Sequence, residues 1–126
     1  MESLNIKGDK KSPAVAFEPY SGLLVMKGKS SLENPGKFYD RILDWINNYS
    51  KQPAVKTTFR MEMEYFNSSS AKFLMKLFRS LEEINKGGRK QVSVEWCFEG
   101  NDQSMQESGE DFNSMLKLDF KFVELN

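Results

Sequence analysis

Residues 55–72 read VKTTFRMEMEYFNSSSAK, and the change of rhythm inside this stretch decides the fold. Val55, Thr57, Phe59, Met61, Met63 and Tyr65 alternate with Lys56, Thr58, Arg60, Glu62 and Glu64, the period-two pattern of a strand with one buried face. After the serines, Ala71, Leu74, Met75, Phe78, Leu81 and Ile84 recur at helical spacing until Gly87-Gly88, a C-terminal stop. Phe73 and Leu77 widen the apolar face of that helix, which predicts deep burial. The chain therefore passes from strand to helix within Asn67-Ser68-Ser69-Ser70, and three hydroxyls fall at a helix N-terminus.

Upstream, Asn34-Pro35 predicts a helix start, with Asn34 as N-cap and Pro35 at the first helical position, where its missing N–H is harmless. Phe38, Ile42, Trp45, Ile46 and Tyr49 then stack on one face. Ala14 to Glu18 and Leu23 to Lys29 flank Pro19-Tyr20-Ser21-Gly22 and read as a β-hairpin. Residues 1–13 are polar apart from Leu4 and Ile6 and predict a loosely held arm or an edge strand. Downstream, Val92, Val94, Trp96 and Phe98 alternate with polar neighbours as a further strand. Met105, Phe112, Met115 and Leu116 share a face of a weaker, acidic third helix interrupted by Gly109. Leu118, Phe120 and Phe122 close the chain as a strand. The order ββαβαβαβ with one-sided strands predicts an α/β (α+β) domain spanning residues 1–126, its mixed sheet covered by helices mainly on one face.

Composition removes several function classes. The 126 residues carry 18 basic and 18 acidic side chains, so no global field draws the chain to nucleic acid or an anionic membrane. No apolar run approaches the roughly 20 residues needed to span a bilayer, and the first residues do not resemble a secretory signal, so a cytoplasmic location is expected without membrane insertion. Histidine is absent, which excludes Ser-His-Asp triads, histidine bases and most nitrogen-ligated metal sites. Cys97 is the only cysteine and reads as a small buried hydrophobe.

The remaining candidates resolve toward structure. Gly87-Gly88-Arg89-Lys90 follows a helix and lacks phosphate-loop spacing. Glu107, Glu110 and Asp111 form a solvated acidic face, and Glu62 and Glu64 are neighbours on one strand face without a pocket to separate their pKa values. No catalytic residue, metal site or cofactor is predicted. The serine run is different. Asn or Ser caps a helix by accepting a hydrogen bond from its first-turn N–H groups, which needs one such residue, whereas four stand here. A phosphate at that place adds a charge of about −1.5 to −2 where the helix dipole favours an anion, so the fold tolerates it while a partner's contact surface is altered.

Glu64-Tyr65-Phe66-Asn67-Ser68-Ser69-Ser70-Ala71-Lys72 closely resembles the signature of the SiaC family, small bacterial regulatory phosphoproteins. Gly28-Lys29-Ser30, Glu33-Asn34, the aromatic helix with Phe38, Tyr39 and Trp45, Gly87-Gly88-Arg89, Val94-x-Trp96 and Met105-x-Glu107-x-Gly109-Glu110 extend the resemblance over most of the chain. The resemblance implies a STAS-like fold, as in anti-sigma-factor antagonists, and a non-enzymatic adaptor. It further implies a cognate Ser/Thr kinase, a PP2C-type phosphatase, and a diguanylate cyclase bound and activated by the unphosphorylated form, with cyclic-di-GMP synthesis and biofilm formation as outputs. The family's acceptor position, often threonine, matches Ser68, with Ser69 as second choice. Asn67, Ser69 and Ser70 would shape the switch region, with Lys72 adding positive charge one turn on. Alternatives are an anti-sigma-factor antagonist acting on an anti-sigma kinase, a divalent-metal enzyme built on Glu62, Glu64 or the acidic helix, and a small-ligand carrier.

Overall fold

A computed structural model describes residues 1–125. Six strands form one sheet in sequential order: β1 (Leu4–Ile6), β2 (Ala14–Glu18), β3 (Leu23–Ser30), β4 (Lys56–Phe66), β5 (Gln91–Glu99) and β6 (Asp119–Leu125). The first three pair antiparallel and β3 to β6 run parallel. Helices α1 (Gly36–Tyr49), α2 (Ser68–Lys86) and α3 (Gln103–Met115) make the three crossovers. Because each crossover joins adjacent strands in one direction, the usual right-handed connection places all three helices on the same face.

The alternation along the strands agrees with this. Thr57, Phe59, Met61 and Met63 of β4 and Val92, Val94, Trp96 and Phe98 of β5 are buried beneath the helices. The opposite face is solvated and held by Arg60, which binds Glu62 at 3.2 Å and Glu95 at 2.8 Å. The predicted mixed sheet with helices on one face is thus present, and its order gains one strand at the front. Residues 4–6 form an edge strand in register with β2, Leu4 opposite Phe17 and Ile6 opposite Val15, and the Trp45 indole N–H donates to the Glu2 carbonyl at 2.9 Å.

Five expectations need correction. α1 is capped at Pro35 rather than Asn34, with no side-chain hydrogen bond, and the Pro35 carbonyl accepts from Tyr39 N–H at 3.0 Å. Val55 lies before β4 and is 71% exposed. Tyr65 also points outward, because the β3–β4 register passes from Gly28–Met63 directly to Lys29–Tyr65 and leaves Glu64 as the extra residue of a bulge. Gly28 permits the irregularity with φ of 117°, and the slip turns Phe66 inward, edge-on to Trp96 with ring centroids 6.1 Å apart. In α3, Met115 is exposed, and Leu116 is buried only after the helix has ended in extended backbone.

Gly109 does not interrupt α3. It is buried within the helix, where an added Cβ would lie 2.5 Å from Trp96 Cδ1 and 2.8 Å from a Phe122 ring carbon. Close approach of α3 to the sheet requires glycine at this position. Asp102 caps the helix by accepting from Met105 N–H at 3.0 Å, and Trp96 Nε1–H donates to the Met105 carbonyl at 2.9 Å. At the other end, buried Glu82 of α2 accepts from Lys117 N–H at 2.6 Å and Arg79 at 3.1 Å, while Arg79 donates to the Met115 carbonyl at 3.2 Å.

Gly109→Ala should lower stability by about 1–3 kcal/mol through overpacking against Trp96, reversing the roughly 1 kcal/mol that alanine normally adds to a helix; a raised melting temperature would show that α3 does not sit this close. The Lys117 N–H, followed by Arg79, holds the Glu82 carboxyl below its ordinary value of 4.5. A depressed folded-state pKa contributes stability that is present above the ordinary value and is lost as pH falls through the folded one. Glu82→Gln should therefore flatten the acid limb of a pH–stability curve measured by urea unfolding, while lowering stability at neutral pH.

Candidate functional site at the head of the second helix

The bulge ends β4 so that Asn67 leaves the sheet in extended backbone, φ −82° and ψ 172°, as the N-cap of α2. Its main-chain N–H donates to the Ser30 carbonyl at 2.9 Å, and its Nδ2 donates to the Leu32 carbonyl at 2.9 Å. Oδ1 accepts from Ser70 N–H at 2.9 Å, the bond expected of a capping asparagine. One side chain thereby fixes the helix entrance and the loop leaving β3.

The three serines have different environments. Ser70 is fully buried, and its hydroxyl accepts from the Ser30 hydroxyl at 2.7 Å. Ser30 has a single hydroxyl proton to give, so the 2.7 Å contact between Ser30 and Tyr39 is donated by the tyrosine. All three hydroxyls are buried, on β3, α1 and α2. Burial pushes the Tyr39 phenol upward, against the pull of its hydrogen bonds with Ser30 and Ser70. Ser70 is thus an interior strut and cannot touch a partner directly. Ser68 and Ser69 are exposed in the first turn, where the leading N–H groups of a helix lack intrahelical acceptors. No acidic residue occupies that turn, and exposed Lys72 follows Ser68 by four residues, so the local field favours an anion.

The other sequence candidates lie elsewhere. Glu62 is engaged with Arg60 on the open sheet face, and Glu64 is exposed at the bulge. Glu107, Glu110 and Asp111 face solvent on α3, and among the described residues no three His, Cys, Asp or Glu side chains converge as metal ligands. Gly88, with φ of 73°, follows the C-terminus of α2 rather than a strand. Cys97 is buried, and burial pushes its thiol up. Sequence reasoning missed the roles of Ser30, Tyr39 and the Leu32 carbonyl, because nothing local links a strand serine and a helix tyrosine to a third element.

The geometry presents two exposed serine hydroxyls at a helix entrance, and no three-residue cluster of potential metal ligands is found among the described residues. The chain belongs to the family described as SiaC family regulatory phosphoprotein, whose model matches residues 6–125. An uncharacterized protein of Pseudomonas aeruginosa (strain UCBPP-PA14) is 28% identical over 120 residues, covering 95% of this chain and 94% of the relative. The crystal structure of apo-SiaC from Pseudomonas aeruginosa is similar with a TM-score of 0.88 at 28% identity, over 98% of this chain and 99% of that one. SiaC in the structure of the diguanylate cyclase SiaD in complex with its activator SiaC, from the same organism, is similar with a TM-score of 0.90 at 27% identity, over 97% and 99% of the two chains.

Asn67→Ala should destabilise the protein by about 1–2 kcal/mol through loss of the cap and of the Leu32 contact, whereas Ser68→Ala should fall within about 0.5 kcal/mol of the parent. Chemical unfolding of both variants checks this contrast, and a comparable loss for Ser68→Ala would mean that Ser68 has a structural duty.

Proposed function

We propose that this protein is a phosphorylation-controlled adaptor that binds and activates a diguanylate cyclase when Ser68 is unmodified. The observation that carries this reading is the division of labour among four neighbouring residues: Asn67 caps the helix and Ser70 braces the interior, which leaves the Ser68 and Ser69 hydroxyls exposed, and the resemblance to the family's signature favours Ser68 of the two as acceptor. The activator role of Pseudomonas aeruginosa SiaC toward SiaD supports the choice of partner. Cyclic-di-GMP synthesis, and through it biofilm formation, is the output that follows, and action without catalysis by this chain accords with a regulatory family.

A Ser/Thr kinase would place the phosphate and a PP2C-type phosphatase would remove it. The modified side chain would lie over the free N–H groups of the first turn and within reach of Lys72, so the helix survives modification. A partner packed against the bare hydroxyl would meet new bulk, a charge of about −1.5 to −2 and bound water. Asn67 and the exposed Ser69 shape the entrance that the kinase must recognise, and Ser69 is the second-choice acceptor. Ser70 acts only from within, by holding the first turn against β3 and α1.

Phosphopeptide mapping after incubation with the host's cognate kinase should place the phosphate on Ser68, and modification confined to other residues would remove Ser68 from the mechanism. In titration calorimetry with the cyclase, Ser68→Asp should bind at least tenfold more weakly, about 1.4 kcal/mol, while Ser68→Ala keeps most of the affinity. Equal affinities of the two folded variants would refute the switch.

A further inference from the structure

The sheet ends in two unlike edges. β1 offers only the three residues Leu4–Ile6, whereas β6 runs for seven, Asp119–Leu125, and pairs on one side alone, with β5. The free side of such a strand presents main-chain N–H and C=O groups that the sheet does not pair, which makes it a template for another strand. Phe120 faces the helices and packs on Phe78 and Trp96, with ring centroids 5.6 and 6.5 Å away, and Phe122 lies 6.2 Å from it on the same face, 36% exposed. Asp119 and Lys121 stand exposed on the open face. Among the described residues neither forms an ion pair within the chain, and Glu95, opposite Lys121 on β5, is held by Arg60 instead.

This edge is complementary to itself. Two identical edge strands that pair antiparallel are related by a two-fold axis perpendicular to the sheet, so opposed residues share a face and both helix layers stay on one side. With Phe120 on the axis, Leu118 stands opposite Phe122 on the helix face, and Asp119 of each copy stands opposite Lys121 of the other on the open face. Of the registers centred on a residue of β6, only this one opposes unlike charges. Centring the pair on Lys121 sets like charges together, and centring it on Phe122 sets Glu124 against Phe120 and Asp119 against Leu125. Cross-strand pairs of opposite charge stabilise a sheet, and like charges directly opposite destabilise it.

We infer that β6 is a homodimerisation edge, at which a second copy of this chain continues the sheet through antiparallel pairing of residues 118–122. Lys117 lies outside the pairing because its N–H is already donated to Glu82. So short a pairing belongs with the small interfaces, under about 1,200 Å², that form transient complexes, and the dimer is a reversible one. Both α2 helices, and with them both Ser68 turns, then lie on the same side of the shared sheet, which makes the dimer bivalent toward a partner. Nothing in this pairing depends on the reading of Ser68 as a phosphate acceptor.

Sedimentation velocity of the full-length protein over a rising concentration series should show a monomer–dimer equilibrium. Asp119→Lys and Lys121→Asp should each weaken dimerisation by about tenfold or more, because each sets like charges opposite one another twice. An equimolar mixture of the two variants should dimerise again, since every lysine then meets a carboxylate, and that recovery also shows that both are folded. Glu124→Lys, outside the pairing, should dimerise as the parent does. Hydrogen exchange of the unaltered chain should slow at residues 118–122 as the dimer forms, a readout that needs no variant. A parent that stays monomeric throughout would overturn the proposal, as would a dimer that both charge variants retain or one that protects only residues outside β6. Failure of the mixture to associate, with both variants melting as the parent does, would overturn the assigned pairing of Asp119 with Lys121.

Discussion

The Asn67 carboxamide holds together the segment on which the site depends. Its oxygen accepts from the first turn of α2 and its nitrogen donates to the Leu32 carbonyl, while its main-chain N–H is bound by Ser30. Strand exit, helix entrance and the loop before α1 therefore share one residue. The arrangement matters for function because it relieves the serines that follow of capping. A serine that must cap cannot be modified without cost to the helix, whereas one standing beside an asparagine cap can.

Directly beneath the cap, the buried hydroxyls of Ser30, Tyr39 and Ser70 connect β3, α1 and α2. Polar groups in such a position are unfavourable unless each finds a partner, and here every buried side-chain oxygen and nitrogen among the described residues does. The network is directional and admits few alternative packings, so the head of α2 is positioned more tightly than an apolar contact would ensure. Further along, Trp96, Phe78, Phe112 and Phe120 form an aromatic cluster that seats α3, and Gly109 allows the helix to descend onto it. The exposed serines thus stand on a closely packed platform, with the open sheet face tied up by Arg60 and its two glutamates.

Much of this architecture was legible in the residues. The alternation from Thr57 to Met63 and the helical recurrence from Leu74 to Ile84 are one-dimensional signals of one-sided burial, and both are present as expected. Departures occur where a non-local contact overrides a local rule. Tyr65 continues the alternation in sequence but faces solvent because of a bulge that depends on the register with Gly28, and Gly109 reads as a helix breaker until Trp96 is placed beneath it. Val55 follows the period yet falls just outside the strand. Asn34 has a favoured capping side chain, but Pro35 takes the position.

The sequence by itself determined the order of strands and helices from β2 onward, the burial of one sheet face and the placing of a hydroxyl-rich turn at a helix entrance, since each follows from periodicity and capping chemistry within a few residues. Only the tertiary structure separated the three serines. Ser70 is drawn inward by Ser30 and Tyr39, which lie 40 and 31 residues earlier, while Ser68 and Ser69 remain in solvent. Their difference is one of direction around a single helical turn, and direction acquires meaning only when other elements occupy the space on one side.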